Sequence, residues 1–272
     1  MGREDEAFMP PEMVGRVLAT APDDVVLIGG QALAYWMDYY GIHDRQGLAP
    51  AVSRDVDFFT ANAANGESLN GFADAIGGKA ELRSIHALSP LIGSAIAPAS
   101  EGRVYNVDLL HDVVGLNREV LVANAVRVEL PYGGKQLHVL HPLDVLVSRN
   151  MNLHKLQDKQ DDVGRAQFTL AIAVAREYLS RGIDALHDAT DLSEVERQRE
   201  IFDLIRVVSE YSTEDAAKKN AERYGIHLAD AIPAWRISAD VFCQHQWPHL
   251  RARMSAAYAA FCEEQARTSG PP

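Results

Sequence analysis

The stretch Ser53-Arg54-Asp55-Val56-Asp57-Phe58-Phe59 places two carboxylates on either side of one apolar residue. Side chains two positions apart in a β-strand point to the same face of a sheet. The spacing therefore predicts a strand over residues 52–60 in which Asp55 and Asp57 share one face, while the residue between them faces the core. Two carboxylates this close repel each other unless a cation binds them or one takes up a proton. A divalent metal ion is the natural partner, and such an ion can in turn hold substrate phosphates.

A second motif lies upstream, where the apolar run Val25–Ile28 ends in Gly29-Gly30 and Gln31 follows. The short β-branched run predicts a buried strand, and the residues from Gln31 onward predict a helix. A strand, a glycine turn and a helix N-terminus favour phosphate binding, because the first backbone N–H groups of a helix are free and its dipole favours anions. Glycines at this point also let the backbone approach a phosphate closely.

A third carboxylate, Asp108, lies within the predicted strand Val104–Leu110. An aspartate in the middle of an apolar strand is costly unless it is paired or bound to a metal. If this strand lies beside the strand of Asp55 and Asp57, three carboxylates converge. That arrangement suits two divalent ions that align an attacking oxygen with the α-phosphate of a nucleotide.

The rest of the chain changes character near residue 140. Before it, further strands are predicted over residues 80–85, 92–97, 126–130 and 136–139, and a helix over residues 69–76. After it, helical periodicity predicts helices over residues 143–156, 166–180, 194–211, 213–224 and 252–264. Ser193 and Glu196 fit a capping box at the start of one of these. We predict an α/β (α+β) fold, with a mixed-sheet domain over residues 1–140 and an α-helical domain over residues 141–272.

Composition limits the partners. The chain of 272 residues has a formal net charge of −12, which disfavours a broad surface for nucleic acid but leaves a local basic groove possible. No apolar stretch is long enough to span a bilayer, and the charged N-terminus lacks the apolar region of a signal peptide. The two cysteines, Cys243 and Cys262, form no CxxC pair, which is typical of a reducing compartment. We predict a cytoplasmic protein with no membrane partner.

Together, Gly29-Gly30, Asp55-Val56-Asp57 and Asp108 resemble the mark of the DNA polymerase β-type nucleotidyltransferases: a Gly-Gly or Gly-Ser at a strand end, then Asp-x-Asp, then a third Asp on a later strand. The sequence around them is most similar to the bacterial toxin-type nucleotidyltransferases of the AbiEii group. The resemblance covers about residues 25–165. The chain departs from the pattern in the long segment between Gly30 and Asp55, and in Gly30 itself, where many members have serine.

The resemblance implies a nucleotidyltransferase-type sheet followed by a helical domain that completes the active-site cleft. It implies two Mg²⁺ ions, with Mn²⁺ as an alternative, held by Asp55, Asp57 and Asp108, the last of which would also activate the acceptor hydroxyl. The residues implied for nucleotide binding are Gly29, Gly30, Gln31, Ser53 and Lys155. Lys155 would neutralise phosphate charge, although a lysine on a helix is as often a solvated side chain.

The implied reaction moves an NMP from an NTP, such as ATP, to an acceptor hydroxyl and releases pyrophosphate. For the toxin branch, the resemblance suggests RNA, particularly tRNA ends, or a protein hydroxyl as acceptor, and a cognate antitoxin as partner. A small-molecule acceptor, as in the nucleotidyltransferases that modify antibiotics, stays open. Two other classes also stay open: a catalytically inactive nucleotide- or partner-binding module of the same fold, and a metal-dependent hydrolase that releases inorganic phosphate.

Overall fold

The computed structural model describes residues 5–42, 54–84, 88–130 and 135–237, together with residues 248, 249, 251, 252, 254 and 255. It divides into two compact units, Met1–Ser148 and Arg149–Pro272. The predicted boundary after residue 140 lies just before a helix over Pro142–Lys155, whereas the division falls inside that helix.

The first unit contains both helices and strands. Their order is α1 (Pro11–Thr20), β1 (Val25–Ile28), α2 (Gly29–Tyr40), β2 (Val56–Thr60), α3 (Glu67–Ile76), β3 (Lys79–Leu82), β4 (Leu91–Pro98), β5 (Val104–Leu110), α4 (Arg118–Asn124), β6 (Val126–Glu129), β7 (Gln136–Val139) and α5 (Pro142–Lys155). The strands form one seven-stranded sheet in the order β3-β4-β5-β2-β1-β7-β6. β2 pairs with β5 and β1 with β7 in parallel, and the other pairs are antiparallel. The predicted mixed α/β fold is confirmed.

Over residues 56–58 and 106–109, strands β2 and β5 have one apolar and one polar face. On the apolar face, Val56, Phe58, Val107 and Leu109 are fully buried. The ring of Phe58 stacks on Phe72 of α3 with 4.6 Å between the centroids, so α3 covers this face. The polar face carries Asp57, Asn106 and Asp108, and the neighbouring strands β4 and β3 add Ser94 and Glu81 to it by register.

Strand β2 begins later than predicted, at Val56 rather than residue 52. Asp55 therefore lies just before the strand, and residues 51–53 lie outside the described part. The N-terminal segment occupies the position beside the start of β5: Glu6 forms a parallel bridge with Val104, and the Met9 amide donates to the Arg54 carbonyl at 3.3 Å. This pairing partner is distant in sequence, so the local pattern around Asp55 does not reveal it.

The second unit is helical among its described residues. After the end of α5 it contains α6 (Asp162–Asp188), α7 (Glu194–Tyr211) and α8 (Asp215–Tyr224). The capping box of Ser193 and Glu196 is present. The predicted helix over residues 166–180 is too short at both ends. The side chain of Asp161 accepts a hydrogen bond from the amide of Gly164, so α6 begins at Asp162, four residues earlier than predicted. The helix then continues to Asp188. The predicted helix over residues 252–264 lies almost entirely outside the described residues.

Helix α4 of the first unit was not predicted. Helix α4 has only seven residues and begins after Asn117, whose side chain accepts hydrogen bonds from the amides of Glu119 and Val120. A helix this short depends on its cap and its tertiary contacts more than on its own periodicity. None of the helices in the described ranges is both long and apolar enough to cross a membrane.

Candidate metal centre

Three carboxylates meet on the polar face of the sheet. Strands β2 and β5 run side by side in parallel, and Asp57 lies directly opposite Asp108 in their register. One ligand oxygen each from Asp55, Asp57 and Asp108 lies within 4.8 Å of the others, and all three residues are partly exposed. We call these three residues the acidic triad. The sequence-based expectation depended on β5 lying beside β2, and in the structure it does.

The apolar face fixes where the acidic triad points. Asp57 alternates with Val56 and Phe58, and Asp108 alternates with Val107 and Leu109, all four of which are buried. A shift of one residue in the register would turn the buried residues to the opposite face and the aspartates into the core. The core packing of α3 against the sheet therefore holds the two strand aspartates on the accessible side.

Gly29 lies directly against the acidic triad. Strand β1 places Ile28 opposite Asp57, and the next residue, Gly29, has φ of +69°. A Cβ atom at Gly29 would overlap Oδ2 of Asp57 and lie 2.9 Å from its Cβ and Cγ. Glycine is therefore required here both for its backbone conformation and for the close approach of the carboxylate.

The N-terminus of α2 begins at Gly29, so this helix end lies beside Asp57. Gly30 is buried in its first turn, Gln31 follows, and the N-cap residue Ile28 makes no side-chain cap. The partial positive charge of a helix N-terminus stabilises nearby anions. The helix follows β1 with no intervening turn, and the Trp36 indole anchors it by donating to the Leu140 carbonyl at 2.7 Å.

Ser94 is a contact of the acidic triad that sequence reasoning missed. It lies opposite Asp108 on β4, and its hydroxyl donates to Oδ1 of Asp108 at 2.6 Å. Hydrogen bonds to a charged carboxylate are shorter and stronger than neutral ones, so Ser94 orients the Asp108 side chain. The available signal was a single polar residue inside the predicted strand 92–97, the same pattern that marked Asp108.

Two further residues are implied for nucleotide binding. Ser53 lies outside the described residues. Lys155 is exposed in the last turn of α5, within the second unit. Its assignment to phosphate binding stays a prediction.

Two perturbed groups lie near the start of α5 in the first unit. Burial raises the pKa of Asp144 to about 6, although the hydrogen bond from the Asn124 amide at 3.3 Å opposes the shift. Burial lowers the pKa of His141 to about 4. Sequence reasoning did not single out Asp144. Neither residue belongs to the acidic triad, which is the group among the described residues with metal-binding geometry.

The acidic triad offers only carboxylate oxygens. Such a donor set suits hard divalent cations such as Mg²⁺, Mn²⁺ or Ca²⁺, whereas imidazole and thiolate ligands favour zinc. Three like charges in one place are stabilised when a cation binds between them. The residues present therefore fit a divalent metal ion of this class.

Among known proteins, no family model and no curated protein matches this chain.

Proposed function

We propose that the chain is a divalent-metal-dependent nucleotidyltransferase that moves an NMP from an NTP to an acceptor hydroxyl and releases pyrophosphate. One observation carries the proposal: Asp57 and Asp108 lie opposite each other on adjacent parallel strands, Asp55 lies just before one of these strands, and Gly29 at the start of a helix lies against Asp57. A carboxylate cluster binds the metal, and a helix N-terminus next to it binds phosphate. The combination is suited to a metal–nucleotide complex more than to a metal alone.

Each member of the site has a role in this scheme. Asp55 and Asp57 would hold a metal ion, which would supply positive charge to the nucleotide phosphates. Asp108, which is oriented by Ser94, lies where a second metal or the acceptor hydroxyl would bind. When bound, Mg²⁺ supplies positive charge that stabilises the transferred phosphoryl group and aligns the attacking and leaving oxygens.

The first turn of α2 supplies the phosphate contacts in this scheme. The amides of Gly30 and Gln31 lie in this turn. Gly29 has no side chain, so the carboxylate of Asp57 lies directly against the start of the helix. The positive end of the helix and the metal would then neutralise the triphosphate together.

The resemblance of Gly29-Gly30, Asp55-Val56-Asp57 and Asp108 to the toxin-type nucleotidyltransferases supports the same reaction. It suggests Mg²⁺ as the metal and a role alongside a cognate antitoxin. It also implies that Lys155 neutralises phosphate charge.

The test is a transfer assay with the purified full-length protein. Each α-³²P-labelled NTP is incubated with Mg²⁺ and with bacterial extract, and NTP binding is measured with and without Mg²⁺. We expect Mg²⁺-dependent binding, label on an acceptor, and release of pyrophosphate. The Asp57→Asn variant should lose all three, whereas Asp38→Asn, which removes the same charge from an exposed position on α2, should keep them.

Two results would overturn the proposal in favour of its alternatives. Release of inorganic phosphate from the NTP without label transfer would indicate a metal-dependent hydrolase. NTP binding that is independent of Mg²⁺ and unchanged in Asp57→Asn would indicate a binding module without turnover.

A further inference from the structure

The second unit contains a cavity of about 470 Å³. Its described lining comes from α6, the C-cap of α7, α8, the segment 227–235 around the 3₁₀ helix Leu228–Ala231, and residues 251, 254 and 255. All of these residues belong to the second unit, and none of them is a member of the acidic triad. The volume lies within the usual range for sites that bind small molecules.

Part of the cavity wall is apolar. Leu228, Ile232 and Met254 line it and are buried. Trp235 also lines it, yet this residue is 66% exposed. An indole has a large apolar surface, and a flat ring that stacks on it removes that surface from water. This wall therefore suits a ligand with an apolar ring.

The polar part of the wall is mostly cationic. Among the described lining residues, Arg176, Lys218 and Arg251 carry positive charge, and Asp230 carries the one carboxylate. The whole chain has a formal net charge of −12, so positive charge gathered around one cavity is the opposite of what the composition favours. A cationic lining attracts anions.

Arg176 is held in position by two contacts. Its Nε donates to the Asp230 carbonyl at 2.8 Å, and its guanidinium lies over the Trp235 ring at 5.8 Å from the centroid. These contacts leave its two terminal nitrogens for other acceptors, and two such donors match the two oxygens of a carboxylate or a phosphate. They also place this charge next to the exposed indole, so a ring and its anionic group can bind at neighbouring points.

Lys218 brings a second cation to the cavity from α8. Its side chain is only 18% exposed, and its ion-pair partner Asp215, at 3.2 Å, is 79% exposed. Water screens an ion pair whose carboxylate is this exposed, so the pair does not cancel the effect of Lys218 on an anion in the cavity. Lys219, the next residue, is exposed and does not line the cavity.

We propose that this cavity is a binding site for a small aromatic oxyanion, a molecule in which a planar ring carries a carboxylate or a phosphate group. The ring stacks on Trp235 against the apolar wall. The oxyanion accepts hydrogen bonds from Arg176 and Lys218. The apolar wall selects the ring and the cationic lining selects the charge, so neither a neutral ring nor a saturated acid satisfies the whole site.

The test follows the indole N–H signals of the full-length protein labelled with ¹⁵N-tryptophan. The chain has three tryptophans, and the signal that is absent from Trp235→Phe belongs to the cavity. Titration of this signal measures binding at the cavity. 2-Naphthoate is the probe. 2-Naphthamide keeps the ring without the charge, and decahydro-2-naphthoate keeps the charge without the planar ring.

We expect 2-naphthoate to shift the Trp235 signal in a saturable manner. 2-Naphthamide should bind at least about tenfold more weakly, because it cannot accept hydrogen bonds as an anion. Decahydro-2-naphthoate should bind roughly threefold to tenfold more weakly, the contribution of one aromatic pair. A comparison with 2-naphthyl phosphate separates the two kinds of oxyanion: tighter binding of the phosphate identifies a phosphate ester as the ligand class, and weaker binding identifies a carboxylate.

Two adjacent lysines provide matched variants. Lys218→Gln should weaken 2-naphthoate binding by about tenfold and leave 2-naphthamide binding unchanged. Lys219→Gln removes the same charge from the exposed position next to it and should change neither affinity. Arg176→Gln is a second charge variant and should weaken 2-naphthoate binding to a similar degree.

Each part of the proposal has a result that would overturn it. Equal affinity for 2-naphthoate and 2-naphthamide would overturn the anionic class, and equal affinity for 2-naphthoate and decahydro-2-naphthoate would overturn the planar ring. A Trp235 signal that no probe shifts would overturn the site itself. So would 2-naphthoate binding that stays as in wild type in both Lys218→Gln and Arg176→Gln.

Discussion

The two faces of strands β2 and β5 show how one stretch of sequence can serve stability and chemistry at once. One face holds Val56, Phe58, Val107 and Leu109 in full burial under α3. The other face of the same strands holds Asp57 and Asp108 side by side. The apolar face favours folding by removing surface from water, whereas the polar face brings together like charges that repel until a cation binds. The packing of the apolar face therefore fixes the positions of Asp57 and Asp108 on the polar face.

The largest expected effect comes from removing one carboxylate of the polar face. We expect Asp57→Asn to lower the rate of label transfer by at least about 100-fold, because the metal supplies several kcal/mol of charge stabilisation and each 1.4 kcal/mol is a factor of ten. The stabilisation that Mg²⁺ gives to the folded protein should disappear as well. Calorimetric Tm values with and without Mg²⁺ check this, with Asp38→Asn as the control.

The stability in the absence of metal should stay close to wild type in Asp57→Asn. A large fall in Tm without Mg²⁺ would show that Asp57 serves the fold rather than the metal, and the contrast between the two faces would fail.

The next effect comes from the apolar face. We expect Phe72→Ala to lower the free energy of unfolding by about 3–5 kcal/mol, because it removes the ring that stacks on Phe58 and leaves a cavity in the core. Urea titration measures this. Phe8→Ala, at a residue that is 50% exposed, should cost only about 1 kcal/mol through its contact with Arg54.

The folded fraction of Phe72→Ala should still bind NTP in a Mg²⁺-dependent manner, since no residue of the acidic triad changes. Loss of that binding in a sample that is still folded would mean that the two faces are less independent than their separation across the sheet indicates.

A substitution at Gly29 tests the point where the fold and the acidic triad meet. Gly29 and Gly77 have nearly equal positive φ values, +69° and +67°, so alanine at either position should cost about 1–2 kcal/mol in backbone strain. Nothing lies within 4 Å of a Cβ at Gly77, whereas a Cβ at Gly29 overlaps Asp57. We therefore expect Gly29→Ala to destabilise the protein more than Gly77→Ala does. Gly29→Ala should also weaken Mg²⁺ binding, whereas Gly77→Ala should leave Mg²⁺ binding unchanged.

Unfolding of both variants in urea, with and without Mg²⁺, gives the comparison. Equal losses of stability, with Mg²⁺ binding retained in both, would contradict the close contact between Gly29 and Asp57.

Much of this arrangement can be predicted from the sequence because it depends on local patterns. The predicted bounds of β1, β5 and β7 agree with the structure, since each is a short run that is bounded by turn residues or a change of pattern. The side-chain alternation that puts Asp108 opposite Val107 and Leu109 follows from strand geometry alone. The capping box at Ser193 is likewise a local signal, and it is present.

The parts that could not be predicted depend on contacts between distant segments. The pairing of β2 with β5 had to be assumed, because no local pattern in the sequence predicts which strands pair. The hydrogen bond from Ser94 to Asp108 needs the register of β4 with β5. The Arg54 carbonyl, just before β2, accepts a hydrogen bond from the distant Met9 amide. Helix α4 was missed because its seven residues are too few for a periodic pattern to stand out.

Asp144 is a buried carboxyl outside the acidic triad. Its pKa is raised to about 6 by burial, so the folded state holds the proton more tightly than the unfolded chain does. This contribution to stability is present at acid pH and is lost as the pH rises from about 4 through 6. We expect Asp144→Asn to remove that loss and to make the protein more stable than wild type by roughly 1–2 kcal/mol at pH 8.

Urea titrations at pH 4 and pH 8 test this sign. Greater stabilisation of Asp144→Asn at pH 4 than at pH 8 would contradict it. A gain at pH 8 would show that a single buried carboxyl is relieved by losing its charge, in contrast to Asp57, where neutralisation should abolish metal binding.

The smallest expected effect concerns the one hydrogen bond that orients the acidic triad from β4. Ser94→Ala removes the donor to Asp108 while leaving all three carboxylates in place. Metal should therefore still bind, but with an affinity about tenfold lower. A tenfold loss is at the lower end of the losses in metal affinity seen when a residue that orients a metal ligand is replaced. Ser68→Ala loses a comparable side-chain hydrogen bond, to Asn65 at 2.9 Å, away from the triad. Both variants should lose about 1 kcal/mol of stability, but only Ser94→Ala should weaken Mg²⁺ binding in calorimetric titration. Equal Mg²⁺ affinity in the two variants would mean that the packing of β5 alone orients Asp108. The positions of the carboxylates on the polar face would then depend on the backbone and not on side-chain hydrogen bonds.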